Sequence, residues 1–138
     1  MTETFKKLNF KGQSPILVVG APSSFKGELA AMAGEAEVHQ AVRAGARYGF
    51  ALAFAPMKAD LLKAARSLLR VVEDGSVVWF VYPKQTSRAM KSDLNRDICW
   101  EALKPLGLQP VRQVAIDEDW SALRFKPAGD RAPPPRAR

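Results

Sequence analysis

An amphipathic stretch set between two unbroken apolar runs constrains this chain more than any other feature. Phe50-Ala-Leu-Ala-Phe-Ala55 and Val77-Val-Trp-Phe-Val-Tyr82 are apolar at every position, the pattern of strands buried on both faces of a parallel sheet. Between them, from Lys58 to Val72, the apolar positions Leu61, Leu62, Ala65, Leu68, Leu69 and Val72 fall on one helical stripe. Lys58, Lys63, Arg66 and Arg70 take the other side. Glu73-Asp74-Gly75 is expected to stop this helix and Pro83 to end the second strand. Strand, helix and strand in this order form a βαβ crossover, right-handed almost without exception.

The remaining elements extend this unit. Residues 1–14 read as an irregular N-terminal arm, Ile16–Gly20 as a first strand, residues 24–33 as a short helix ended by Gly34, and Glu37-Val-His-Gln40 as a weak strand. A helix is expected to start near Ser92, with the serine as N-cap and Asp93 in its first turn. Its core face is Leu94, Ile98, Ala102, Leu103 and Leu106, and Gly107 closes it. Val111–Ile116 and Trp120–Phe125 read as strands separated only by Asp117-Glu118-Asp119, so they must pair as an antiparallel hairpin. With 138 residues the chain has room for one domain. The expectation is a Rossmann-like three-layer α/β sandwich over residues 15–126, its sheet mostly parallel with a C-terminal antiparallel hairpin. Residues 127–138 follow as a flexible Pro/Arg-rich tail.

A parallel sheet closed by such a hairpin resembles the class I methyltransferase fold. The resemblance is carried by Phe50-Ala-Leu-Ala-Phe-Ala, then Leu61-Leu-Lys-Ala-Ala-Arg-Ser-Leu-Leu-Arg-Val-Val-Glu-Asp-Gly-Ser-Val-Val-Trp79, within residues 50–125. The first half departs from that fold. Only one strand fits between the Ile16 and Phe50 strands, where the fold has two. The first turn is Gly20-Ala-Pro-Ser-Ser24, with one glycine where the dinucleotide-binding turn G-x-G-x-x-G has three. No acid stands at the end of the second strand to hold a ribose, since Glu37 begins that strand. A second resemblance runs through Gly75-Ser-Val-Val-Trp-Phe-Val-Tyr-Pro-Lys84, Ser92-Asp93, Gly107-Leu108 and Glu118-Asp-Trp-Ser-Ala-Leu-Arg124. It is to a family of small bacterial proteins known as a domain of unknown function. It implies a bacterial cytoplasmic protein and no particular activity.

Composition excludes several classes. No apolar run approaches the ~18 residues of a membrane span, and no apolar segment backs the basic N-terminus as in a secretory signal. Cys99 is the single cysteine and His39 the single histidine, which excludes an internal disulfide and an ordinary zinc site, so no metal is expected; with the glycine-rich turn missing, no cofactor is expected either. The net charge of +7 raises the chance of an anionic partner. The charge concentrates in Lys84, Arg88 and Lys91 and in the tail residues Arg131, Arg136 and Arg138, without the interleaved aromatics that mark a nucleic-acid surface.

Ligands of open α/β sheets bind outside the carboxyl ends of the strands. That rule gathers Lys84, Asp93, Arg96, Asp97, Trp100, Asp117 and Glu118 as ligand-binding candidates, with Gly20, Ser23 and Ser24 as weaker ones. Asp93, Arg96, Asp97 and Trp100 fall at i, i+3, i+4 and i+7 of the expected helix. They form either a charged patch in which Arg96 grips an anion beside a flat tryptophan wall, or an ion-paired surface stripe. Lys84, just past Pro83, suits a phosphate or carboxylate. Asp117-Glu118-Asp119 reads first as a polar turn with Asp119 bonding backbone amides, or as a partner for Lys84 or Arg96. Ser23 and Ser24 read as helix caps, His39 as a half-buried structural residue, and Cys99 as a packed one. The expectation is a non-catalytic module that binds a protein partner or a small anionic ligand. The alternatives are an enzyme acting on a small anion, with Asp93 or Asp117 as acid–base, and an electrostatic binder of nucleic acid.

Overall fold

The computed structural model describes residues 2–88 and 91–127. The elements run α1 (Glu3–Lys7), β1 (Ile16–Val19), α2 (Lys26–Met32), β2 (Val38–His39), β3 (Tyr48–Phe54), α3 (Lys58–Leu69), β4 (Val72–Pro83), α4 (Arg96–Leu103), β5 (Leu108–Ala115) and β6 (Trp120–Pro127). The sheet order is β2-β1-β3-β4-β6-β5. β2, β1, β3 and β4 are mutually parallel, whereas β6 lies antiparallel between β4 and β5. Since β5 is antiparallel to β6, it points the same way as β4, and both end at the same edge.

Strand alternation divides the core in two. Ile16, Val18, Phe50, Leu52, Phe54, Trp79, Val81 and Ala122 face Phe5, Leu8, Phe10, Phe25 and Met32 from the N-terminal segment and α2. Leu17, Ala51, Ala53, Val78, Phe80, Tyr82 and Leu123 face Leu61, Ala65 and Leu68 of α3 and Cys99 and Leu103 of α4. The three-layer sandwich expected from the sequence is therefore present, and one strand alone, β2, separates β1 from β3 in the chain.

Four local expectations are corrected. The arm is not irregular: Thr2 caps α1 through Phe5 N, at 3.2 Å, and Phe5, Leu8 and Phe10 are buried. The indole Nε1 of Trp79 donates to Leu8 O at 2.8 Å, which fixes this segment over the sheet. α3 ends at Leu69, before Glu73-Asp74-Gly75. There Arg47 donates from Nη1 to Arg70 O (3.2 Å) and from Nη2 to Val72 O (2.9 Å), occupying carbonyls at the helix exit. Gly75, at φ +76°, instead serves a bulge inside β4, where Tyr48 pairs with Val72 but Phe50 pairs with Val77. The fourth helix begins at Arg96 with Asn95 as its cap, not near Ser92. Ser23 and Ser24 lie in a 3-10 turn and make no capping bond. The expected tail lies outside the described residues beyond Pro127.

Candidate functional site

At the Gly20 end of the carboxyl edge, side chains fill the space on the α2 face. Phe25, Phe54 and Trp120 form a chain of edge-on rings, with Phe25–Phe54 centroids 5.0 Å apart and Phe54–Trp120 centroids 5.2 Å apart. Each ring is at most 5% exposed. Gly20 is required by the backbone: its φ is +73°, and a Cβ there would stand 3.0 Å from Phe54 O. Pro22 removes an N–H from the turn. His39, at the end of β2, is buried and bonded through Nδ1 to Tyr48 Oη at 2.6 Å and through Nε2 to Glu37. Its expected structural role is thus filled on both ring nitrogens. On the opposite face a cavity of about 390 Å³ runs beside α3, lined in part by Val19, Val42, Asp60, Lys63 and Ser67. The Asp60 carboxylate accepts Met57 N at 3.1 Å.

The C-terminal half of the same edge is open. An open cavity of about 690 Å³ is lined by Tyr82, Lys84, Gln85, Thr86, Asn95, Arg96, Asp97, Gln113, Ala115 and Ser121. Its floor follows from register: Tyr82 of β4 pairs with Ser121 of β6, which pairs with Ala115 of β5, and Gln113 lies two residues before Ala115 on the same face. Gln113 Nε2 donates to Tyr82 Oη at 2.9 Å and to Ser121 Oγ at 3.1 Å. Burial raises the Tyr82 phenol above its ordinary 10.0. Its hydrogen bond with Ser121 and the nearby Arg96 charge oppose that rise, whereas Asp97 adds to it. The walls come from the loop after β4 and from the first turn of α4.

The late start of α4 shapes this cavity. Ser92 Oγ donates to Pro56 O and accepts Leu94 N. Asp93 Oδ1 accepts Lys58 N at 2.8 Å, so this carboxylate caps α3. Asp93 is therefore not on a stripe with Arg96, Asp97 and Trp100. Among the candidates, Lys84, Arg96 and Asp97 come together on the cavity wall, and Asp93, Trp100, Asp117 and Glu118 do not line it. Trp100 is 42% exposed with Lys104 Nζ 5.8 Å from its ring centroid. In the acidic turn it is Asp117, rather than Asp119, that bonds amides: its Oδ1 accepts Asp119 N (2.8 Å) and Trp120 N (2.9 Å). Asp119 instead accepts Ser87 Oγ at 2.7 Å, and its carbonyl accepts Lys84 N at 2.7 Å. Burial, and then the Asp93 charge, push the Cys99 thiol up to about 12. Sequence reasoning missed Tyr82, Gln113 and Ser121. The available signal was the polar Gln113, set between Val111 and Ala115 two residues away on either side of the same strand.

Several solved structures share this architecture. The ribosomal protein L11 methylase from Lactobacillus delbrueckii subsp. bulgaricus aligns with a TM-score of 0.59 at 13% identity, over 91% of this chain and 75% of that chain. The CcbJ methyltransferase from Streptomyces caelestis aligns with a TM-score of 0.58 at 8% identity, over 91% and 87%. DhpI, solved in complex with SAH, aligns with a TM-score of 0.55 at 13% identity, over 82% and 76%. The fold is methyltransferase-like. At these identities the likeness concerns the fold alone. No family model and no curated protein matches the chain, so the expected kinship with a family of unknown function finds no support.

DhpI was solved with SAH, whereas the β1 turn of this chain lacks the shape of a glycine-rich dinucleotide-binding turn. Its single glycine supports the backbone beside Phe54, Pro22 lacks a donor, and Phe25 closes the helix side with Phe54 and Trp120. The acid nearest β2, Glu37, is bonded to His39. Among the described residues no group of three or more His, Cys, Asp or Glu side chains could hold a metal ion, and no helix is long and apolar enough to cross a membrane.

Proposed function

We propose that this chain is a non-catalytic binding module on a methyltransferase-like scaffold, and that its ligand is a small anion held beside Lys84 and Arg96. The observation that carries this reading is the contrast along one edge. Aromatic rings fill the α2 face at the Gly20 end and leave a cavity of about 390 Å³ on the opposite face, while the cavity of about 690 Å³ at the other end is lined by the two cations Lys84 and Arg96. Displacement of the site towards the C-terminal half follows from that contrast.

Isothermal titration calorimetry tests the proposal, with S-adenosylmethionine, S-adenosylhomocysteine, inorganic phosphate and small carboxylates as titrants. The expected result is no heat from the two adenosyl compounds and saturable binding of at least one anion. Lys84→Ala and Arg96→Ala should each weaken that binding with little change in melting temperature. Saturable binding of S-adenosylmethionine, or transfer of its methyl group to a substrate, would overturn the reading.

A further inference from the structure

The charges on the cavity wall are of both signs. Lys84 and Arg96 supply two cations and Asp97 one carboxylate. None of the three makes an ion pair among the described residues. The floor is polar as well: Gln113 donates to the buried Tyr82 Oη at 2.9 Å and to Ser121 Oγ at 3.1 Å.

A simple dianion would satisfy Lys84 and Arg96, but would leave Asp97 facing like charge. Desolvating a carboxylate without a partner opposes binding. A ligand with two negative groups and one ammonium complements all three wall charges together. We infer that the cavity takes an acidic amino acid: its two carboxylates go to Lys84 and Arg96, and its ammonium goes to Asp97. This rests on the anion-binding reading above and adds a demand for a positive group on the ligand. Arg96 and Asp97 are consecutive at the start of α4, so both signs are presented from one rigid turn, with Asn95 holding Ile98 N at 2.8 Å.

Calorimetry with matched probes decides the matter. L-Glutamate carries two carboxylates and an ammonium, whereas glutarate has the same carboxylates without the ammonium. The expected result is that the full chain binds L-glutamate at least about tenfold more tightly than glutarate, as a charge-assisted hydrogen bond would give. Asp97→Asn should collapse that ratio to near one while retaining glutarate binding, and its far-ultraviolet circular dichroism should match the parent. Equal or tighter binding of glutarate by the parent chain would overturn the inference and leave the anion-binding reading standing. Absence of heat from L-glutamate, glutarate and phosphate alike would overturn both.

Discussion

Two residues illustrate how a chemical feature is committed to structure. Gly20 resembles the remnant of a cofactor turn, yet its positive φ and the 3.0 Å approach of a Cβ to Phe54 O explain it without a ligand. Gly20→Ala is expected to cost about 1–3 kcal/mol, measured by urea unfolding, because both the backbone conformation and the neighbouring carbonyl oppose a methyl group. Cys99 offers a second case. A fully buried thiol with its pKa raised to about 12 presents almost no thiolate at neutral pH. Ellman's reagent should leave the folded protein unmodified and react with one thiol in denaturant. Prompt modification of the native protein would contradict the burial described.

At the scale of elements, helix starts and edge strands depend on partners distant in sequence. The sequence pointed to Ser92 as the N-cap, although Asn95, the cap the structure uses, is an equally good cap type. The choice is made by Pro56 O and Lys58 N, which lie 36 and 35 residues from Ser92 and Asp93. Asp93→Ala should therefore destabilise the fold by about 0.5–2 kcal/mol, seen in thermal melts, by uncapping α3 and not by altering the cavity wall. The short edge strand β2 is tied in by Glu37, His39 and Tyr48. The bond to His39, the His39 charge and, more weakly, Arg43 hold the Glu37 carboxyl below its ordinary 4.5, against a smaller opposing effect of burial. The stabilisation is then present above pH 4.5 and is lost as the pH falls through the depressed folded-state value. Melts at stepped pH should show a smaller acid-induced loss in Glu37→Gln than in the parent.

For the whole molecule, the N-terminal segment is part of the fold. Phe5 packs against Phe10, Phe25 and Phe50 with centroids 6.2, 6.0 and 5.8 Å apart, and Lys7 Nζ reaches Ala115 O at 3.0 Å on the far edge strand. Phe5→Ala should cost about 3–5 kcal/mol, measured by denaturant unfolding. A loss below about 1 kcal/mol would mean that the segment lies loosely on the sheet. Its apolar positions, Phe5, Leu8 and Phe10, were visible in the sequence. They read as an arm because five helical residues give too short a period to distinguish a helix from a loop.

The strands at Ile16, Phe50 and Val77, the helix at Lys58 and the antiparallel hairpin were legible in the chain. Continuous apolar runs, the 3.6-residue stripe and a three-residue turn are local signals, and they suffice for a parallel sheet closed by an antiparallel pair. The strand-end rule also brought Lys84, Arg96 and Asp97 to one edge. It could not separate them from Asp93, Asp117 and Glu118, because the first two of these carboxylates are engaged with backbone amides, one of them 35 residues away. Nor could it find Tyr82, Gln113 and Ser121, whose meeting depends on the register of three strands. Periodicity is written along the chain and specifies elements. A site is made where distant segments converge, and only tertiary packing decided which side chains were taken up by caps and turns and which faced an open cavity.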